Sequence, residues 1–213
     1  MIDTIIFDMD GTLIDTEYAW HLAWLKCNEV YELGLDEKMM LSFIGMPKQN
    51  FELISKDIFS EDIDLEELKK YRNNFFNKYK QTHGIYLKNG VIRLLEYLKK
   101  KGYKLAVCTS TYEDRAKELL IDLNIYHYFD TITYGNEVKI GKPDPTIYKV
   151  TMSKLQKENS ECLVFEDSAF GILSATRAGI RTCFVKDIND IDEDIRKIIY
   201  KEYHVIDEAI VDL

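Results

Sequence analysis

The feature that most constrains the fold of this chain is a set of short apolar runs, each followed at once by polar residues. Runs of this length predict strands that are buried on both faces. They occupy residues 5–7, 104–108, 162–165 and 182–185. Helical patterns lie between them, so strand and helix alternate along the chain. This alternation predicts a parallel sheet with helices on both faces.

The spacing of apolar and capping residues predicts where the intervening helices begin and end. One helix follows residue 90 and is ended by Gly102. Ser110 and Glu113 have the spacing of a capping box, which predicts that the next helix opens there. In parallel sheets of this kind, ligands bind beyond the carboxyl ends of the strands. Since the polar clusters all follow strands, we expect them to meet at one functional site.

A long helical segment interrupts the alternation after the first strand. Residues 16–84 are rich in aromatic side chains and contain no evident buried strand. The sequence therefore predicts two domains: an α/β core of residues 1–15 and 85–213, and an inserted helical domain of residues 16–84. The aromatic residues at helical spacing predict the core of that inserted domain rather than a cofactor site.

Composition and charge limit the classes of function. The chain has 213 residues, 46% of them apolar, and a formal net charge of -9, as in an acidic globular protein. An acidic surface repels phosphate backbones, so we expect no nucleic-acid partner, although a local site can still bind a small phosphorylated substrate. No apolar segment is long enough to cross a membrane. The first residues lack the features of a secretory signal, which predicts a cytoplasmic protein.

Two further groups of residues are predicted to be structural. The cysteines are scattered, and we expect them to be reduced and to pack as small apolar residues: Cys27, Cys108, Cys162 and Cys183. Residues 187–194 contain five acidic side chains without the spacing of a calcium loop. That pattern predicts a solvated loop or the start of a helix.

Two carboxylates, those of Asp8 and Asp10, directly follow the first strand. A like-charge pair about 4 Å apart costs about 4 kcal/mol at an effective dielectric near 20, so the pair needs a proton or a divalent cation. Asp167, with Glu166 beside it, adds oxygen ligands at another strand end, and such ligands suit Mg²⁺. On its own, the Asp8 and Asp10 pair is equally compatible with turn or capping residues.

Four motifs, in this order, resemble those of the haloacid dehalogenase superfamily of phosphotransferases. They are FDMDGTLIDTE from residue 7, LAVCTST from residue 105, GKPDPTIY from residue 141 and VFEDSAFGILSATRAG from residue 164. The inserted segment is similar to the helical cap of the subfamily that contains small-metabolite phosphatases and β-phosphoglucomutases. The resemblance implies a Rossmann-like parallel sheet core with a helical cap domain inserted after the first strand.

The resemblance also implies catalytic roles. Asp8 would attack phosphorus and become an aspartyl-phosphate. Asp10 would protonate the leaving oxygen and later deprotonate the incoming water. Thr109 and Ser110 would bind the phosphoryl group by hydrogen bonds. Lys142 would bind the same group as a point charge.

The metal site and the substrate contact follow from the same resemblance. Mg²⁺ would be held by Asp8, the backbone carbonyl of Asp10 and Asp167. Glu166 would complete the site as an outer ligand or through water. In the helical domain, Lys48 is the residue that we expect to contact the substrate.

Two departures from the β-phosphoglucomutases favour hydrolysis. Those mutases carry a histidine where this chain has Trp20 and a cap arginine where this chain has Lys48. The expected function is therefore a Mg²⁺-dependent phosphatase that hydrolyses a small phosphorylated metabolite through an aspartyl-phosphate. A β-phosphoglucomutase-type phosphosugar mutase is the alternative. A monomer is the expected state for this cap type.

A phosphate-binding signalling module is an alternative from another class. Receiver modules also combine an aspartyl-phosphate, an acidic pair, a threonine and a lysine on a parallel sheet. Their acidic pair and phosphoacceptor come in a different order, and they lack the long helical insertion. A non-enzymatic phosphate-binding relative would be expected to have lost Asp8 or Asp10, and both are present.

Overall fold

The computed structural model describes residues 1–46, 48–60 and 62–213, with the backbone alone at 48 and 49. The chain forms two compact units. The α/β unit comprises residues 1–14 and 87–213, and the helical unit comprises residues 15–86. The first boundary lies one residue before the expected position, and the second lies two residues after it.

A six-stranded parallel sheet forms the centre of the α/β unit, which confirms the predicted fold class. The strands are β1 (Thr4–Phe7), β2 (Lys104–Cys108), β3 (Thr131–Thr133), β4 (Cys162–Glu166), β5 (Arg181–Val185) and β6 (Lys201–Tyr203). Their spatial order is β3-β2-β1-β4-β5-β6. The first strand of the chain therefore lies in the middle of the sheet, between β2 and β4.

The two outermost strands, β3 and β6, were not predicted from the sequence. Each has three residues, of which one is buried. The prediction rested on continuous apolar runs, which are typical of strands covered on both faces. An edge strand with a single buried residue does not need such a run.

Helices occupy most of the remaining described residues. The helical unit contains α1 (Glu17–Val30), α2 (Glu37–Ser42), α3 (Lys48–Ile58) and α4 (Leu65–His83). The α/β unit contains α5 (Val91–Lys101), α6 (Glu113–Asp122), α7 (Thr146–Leu155), α8 (Ala169–Arg177) and α9 (Glu193–Arg196). Single 3₁₀ segments cover Tyr126–Tyr128, Gly135–Glu137, Asn159–Glu161 and Ile206–Val211. None of the helices described is long and apolar enough to span a membrane.

The predicted end of α5 is confirmed, whereas the predicted start of α6 is wrong. Gly102 follows α5 in the left-handed conformation, with φ of 83°, as predicted. The capping box at Ser110 is wrong, because α6 begins at Glu113 with Tyr112 as its N-cap residue. The Glu113 N–H donates instead to the side-chain oxygen of Asn136, 3.0 Å away. Local spacing could not reveal this partner, which comes from a distant part of the chain.

The aromatic residues of the helical unit form its core, as predicted. Trp24 packs against Phe43 and Phe51, with ring centroids 4.7 and 5.2 Å apart. Phe59 extends the cluster and lies 6.1 Å from Phe51. All four rings are buried. Phe43 and Phe51 meet edge to face, with 89° between their planes, and such pairs are stabilised beyond the burial of their area.

The chain leaves and re-enters the α/β unit at neighbouring points. Ile14 forms an antiparallel bridge with Leu87. Next to this bridge, the Lys88 N–H donates to the Leu13 carbonyl oxygen over 2.9 Å. Leu13 and Ile14 are fully buried, so this crossing belongs to the core of the unit.

Candidate active site

The register of the central strands brings three polar strand ends together. Phe7, the last residue of β1, is level with Val107 of β2 and with Phe165 of β4. The Asp8 N–H continues this pairing by donating to the Phe165 carbonyl oxygen over 2.9 Å. The residues that follow the three strands, or end them, carry the predicted chemistry: Asp8, Asp10, Thr109, Glu166 and Asp167.

Lys142 joins two of these carboxylates. Its Nζ lies 2.5 Å from Asp8 Oδ1 and 2.6 Å from Glu166 Oε1, and it donates to the Cys108 carbonyl oxygen over 3.1 Å. Lys142 is 3% exposed and Glu166 is fully buried. Charge-assisted hydrogen bonds in such a dry setting are short and strong. The loop before α7 therefore supplies a cation fixed against Asp8.

Tyr148 of α7 supports this cation and was not predicted as a site residue. Its hydroxyl donates to Glu166 Oε1 over 3.1 Å. Its ring centroid lies 5.2 Å from Lys142 Nζ, within the range of a cation–π contact. The sequence signal was the tyrosine that ends GKPDPTIY, but an apolar helix position explains that residue equally well.

The other oxygen of Glu166 is held by the start of α8. Glu166 Oε2 accepts hydrogen bonds from the Asp167 N–H over 3.1 Å and from both the N–H and the hydroxyl of Ser168 over 3.0 Å. Both carboxylate oxygens thus accept from protein donors. Glu166 is thereby fixed as an anchor for Lys142.

Burial and neighbouring charges shift the pKa values of the central pair. Burial raises the pKa of the Asp8 carboxyl well above its ordinary value, and Glu166 and Asp10 act in the same direction against the opposing effect of Lys142. Burial lowers the pKa of Lys142, but Asp8 and Glu166 outweigh that effect and hold it well above its usual range. The lysine therefore stays protonated beside Asp8, and further positive charge at the site would lower the pKa of the Asp8 carboxyl.

Asp10 is held on the other side of the site by two threonines. Thr111 Oγ1 donates to Asp10 Oδ2 over 2.7 Å, and the longer contact from Thr109 Oγ1 is 3.4 Å. The Thr111 N–H in turn donates to Thr109 Oγ1 over 3.0 Å. Thr111 was missed by the sequence prediction, although it is the third residue of the Thr109-Ser110-Thr111 run. The threonines fix the direction in which the Asp10 carboxyl points.

Gly11 allows the acidic residues to approach the backbone. Its φ is +82°, which favours glycine, and a Cβ there would lie 2.2 Å from Asp167 Oδ2 and 3.0 Å from Asp187 Oδ2. Thr12 Oγ1 donates to the other oxygen of Asp167 over 2.9 Å. No side chain larger than that of glycine fits at this position.

The carboxylates suit a divalent metal. One oxygen from each of Asp8, Glu166 and Asp167 lies within 4.8 Å of the others, and all three residues are buried. Hard oxygen donors clustered in this way match the preference of Mg²⁺. The side chain of Asp10 accepts from Thr111, and coordination of a metal by its backbone carbonyl stays a prediction.

Two predicted binding residues stand apart from this cluster of contacts. Ser110 is half-buried directly after Thr109. Its carbonyl oxygen packs so closely on Gly135 that a Cβ there would lie 2.0 Å away. The side chain of Lys48 lies outside the described part of the chain, so its contact with substrate stays a prediction.

The acidic stretch after β5 differs from the sequence prediction at its first residue. Asp192 accepts from the Ile195 N–H over 2.8 Å and is the N-cap of α9, so the predicted helix start is confirmed. Asp187 is not solvated. Its side chain is 6% exposed and pairs with Lys88. Spacing along the chain could not reveal this pair, because the two residues are 99 positions apart.

Comparison with known families matches residues 5–185 to the haloacid dehalogenase-like hydrolases. A phosphorylated carbohydrates phosphatase of Thermotoga maritima is 34% identical over 194 residues, which covers 89% of this chain and 88% of that protein. A phosphoglycolate phosphatase of Aquifex aeolicus is 34% identical over 184 residues, which covers 84% of this chain and 82% of that protein.

A solved structure from Thermotoga maritima is similar across nearly the whole fold. It is named, provisionally, as a β-phosphoglucomutase. It superimposes with a TM-score of 0.75 at 31% identity, and the match covers 99% of this chain and 97% of that one.

Proposed function

This chain belongs to the family of haloacid dehalogenase-like hydrolases, and from that premise we propose that it is a Mg²⁺-dependent phosphatase of a small phosphorylated metabolite. Membership of the family and the phosphatases among its relatives make it a phosphoric monoester hydrolase. The observation that supports Mg²⁺-dependent phosphatase chemistry is the contact of Lys142 with Asp8, which is one of three clustered buried carboxylates.

In the proposed reaction, Asp8 is the nucleophile. One of its oxygens attacks phosphorus, the ester P–O bond breaks, and an aspartyl-phosphate forms. Lys142, fixed 2.5 Å from Asp8, offsets the charge of the incoming phosphoryl group. Water then attacks the same phosphorus, the Asp8 oxygen leaves, and free phosphate is released.

Asp10 moves the protons of both steps. It donates a proton to the leaving oxygen of the ester and later accepts one from the attacking water. Thr111 keeps its carboxyl oriented for this role. Thr109 lies beside it, at the position from which its hydroxyl and the adjacent Ser110 would bind the phosphoryl oxygens.

The proposed metal ligands are Asp8, Asp167 and the Asp10 backbone carbonyl. When bound, Mg²⁺ supplies the positive charge that lets an anionic carboxylate approach an anionic phosphate. Because both oxygens of Glu166 already accept from protein donors, we assign Glu166 to holding Lys142 beside the metal site rather than to direct coordination.

Substrate choice is assigned to the inserted helical unit, in the role of a cap. Phosphorylated sugars come first among the candidates, since one relative is named as a phosphatase of phosphorylated carbohydrates. The proposal also includes a monomer in the cytoplasm, which analytical ultracentrifugation and cell fractionation would test.

A phosphosugar mutase is the second candidate, favoured by the name of the structure that is 31% identical. At the position of the mutase histidine, Trp20 stacks on Phe76 with ring centroids 4.0 Å apart and 12° between the planes. That position therefore has a packing role here, which favours the phosphatase.

Phosphorus NMR of the purified protein separates the two candidates. The sample contains Mg²⁺ and a panel of phosphate monoesters, including β-glucose 1-phosphate with a trace of the bisphosphate. We expect free phosphate to accumulate from one or a few esters. Conversion of the 1-phosphate to the 6-phosphate without free phosphate would establish the mutase instead. The Asp8→Asn variant serves as the blank.

A further inference from the structure

A partly buried ion pair lies beside the carboxylate site and has no role in the proposed reaction. Asp187 follows β5, and Lys88 follows the point where the chain re-enters the α/β unit. Lys88 Nζ contacts Asp187 Oδ1, and the Asp187 side chain is 6% exposed. Lys88 is more accessible, with 23% of its side chain exposed. The Asp187 carboxylate therefore lies inside the α/β unit, and the Lys88 ammonium that balances its charge is closer to solvent.

The second oxygen of Asp187 is directed away from that lysine. Asp187 Oδ2 is buried, and no hydrogen-bond donor among the described residues reaches it. A buried carboxylate oxygen without a donor destabilises a fold, and each one needs an explanation. A structural ion pair accounts for Oδ1 alone.

Asp187 Oδ2 and a proposed metal ligand, Asp167, both lie close to Gly11. A Cβ on Gly11 would lie 3.0 Å from Asp187 Oδ2 and 2.2 Å from Asp167 Oδ2. The two carboxylate oxygens therefore approach one point above the Gly11 backbone from different strands, β5 and β4. Gly11 directly follows Asp10, whose carbonyl is a proposed ligand.

We propose that Asp187 is a positioning residue of the metal site. Its Oδ2 accepts a hydrogen bond from a water molecule that Mg²⁺ retains on the Gly11 side, and Lys88 holds the carboxylate and moderates its charge. Mg²⁺ gives up its waters reluctantly and usually keeps several of them in proteins. Outer partners of this kind typically change metal affinity by about tenfold or more. The inference rests on the proposed Mg²⁺ site.

Mg²⁺ binding to the full-length, metal-free protein tests the inference without an activity assay. Isothermal titration calorimetry compares the unaltered chain with Asp187→Asn, Lys88→Met and Asp167→Asn. We expect Asp187→Asn to weaken Mg²⁺ binding about tenfold. Lys88→Met should tighten it, because removal of a neighbouring cation leaves the Asp187 charge uncompensated. Affinity for Mg²⁺ within twofold of the unaltered protein in Asp187→Asn would overturn the proposal.

The Asp167→Asn variant separates this proposal from the one on which it rests. Loss of Mg²⁺ binding in Asp167→Asn together with unchanged binding in Asp187→Asn rejects only the role of Asp187. Unchanged binding in Asp167→Asn rejects the metal site itself.

Thermal melting with and without Mg²⁺ detects a purely structural pair. If the pair only ties β5 to residue 88, Asp187→Asn and Lys88→Met lower the melting temperature alike. The rise in melting temperature on adding Mg²⁺ would then equal that of the unaltered protein, which would refute the inference. We expect a smaller rise in melting temperature on adding Mg²⁺ for Asp187→Asn and a larger rise for Lys88→Met. Should Asp187→Asn not fold, Asp187→Ser, which also removes the carboxylate, is measured in its place, and unchanged Mg²⁺ affinity in that variant would overturn the proposal.

Discussion

The two units of this protein bury different kinds of side chain. At one edge of its sheet, the α/β unit buries Lys142 against Asp8 and Glu166. The helical unit buries rings such as Trp24 and Phe51 against one another. Buried charges add little to stability even when they are paired, whereas packed aromatic rings add a great deal. The comparison indicates that the reaction determines which residues are buried at the site of the α/β unit. Packing determines which residues are buried in the core of the helical unit.

The largest effect that this comparison predicts is that of Asp8→Asn. The variant keeps the shape of the side chain but removes the nucleophile, so kcat should fall on the order of 10⁴-fold or more. The melting temperature should stay near that of the unaltered protein, since a neutral amide replaces a carboxyl that burial already disfavours as an anion. Steady-state kinetics and calorimetry measure the two quantities. Asp114→Asn, at an exposed position on α6, is the matched control.

Metal removal is the next test. Treatment with EDTA should lower activity by roughly a hundredfold or more, and added Mg²⁺ should restore it, since the anionic nucleophile then lacks the charge that offsets the phosphate. Phosphate release measures the effect. Full turnover in EDTA would show that Lys142 alone supplies enough charge and would remove the metal from the proposal.

In the helical unit we expect a substitution in the core to lower stability. Trp24→Ala removes a buried ring at the centre of the aromatic core and should lower the free energy of unfolding by about 3–5 kcal/mol. Denaturant or thermal unfolding measures this loss, with Leu53→Ala as an exposed control in the same unit. A loss below about 1 kcal/mol would mean that the rings contribute little and that the contrast between the units is wrong.

A smaller effect is expected at Thr111. Thr111→Val removes the donor 2.7 Å from Asp10 Oδ2, so the general acid is less well oriented, and kcat should fall about tenfold. The Michaelis constant should hardly change, because the substrate phosphate does not depend on this hydroxyl in the proposed reaction. Thr111→Ser restores the donor and should recover most of the loss. A rise in the Michaelis constant with unchanged kcat would instead make Thr111 a binding residue.

The sequence predicted the parts of the fold that rest on strong local patterns. Four buried strands have continuous apolar runs, and the motif residues Asp8, Lys142 and Asp167 do converge at one sheet edge. The edge strands β3 and β6 have no such runs. Even the cap of α6 depends on Asn136, which only the folded chain brings near Glu113.

Sequence patterns could not identify the residues that support the site, for a related reason. Thr111 and Tyr148 have ordinary explanations as a turn residue and a helix core residue. Their roles depend on the distance to Asp10 and Glu166, respectively. A pair such as Lys88 and Asp187 is defined by tertiary structure alone. Residue type and spacing reveal which groups react, but not which groups hold them.

The bridge between Ile14 and Leu87 makes residues 15–86 an exchangeable module. Because the chain departs and returns at paired positions, segments of very different length can be grafted between them without stretching β1 or α5, and the entropic cost of a longer loop grows slowly. Recombination can therefore replace the helical unit of such an enzyme while the phosphoryl-transfer machinery is inherited intact. A library of helical inserts on one α/β scaffold is the laboratory equivalent.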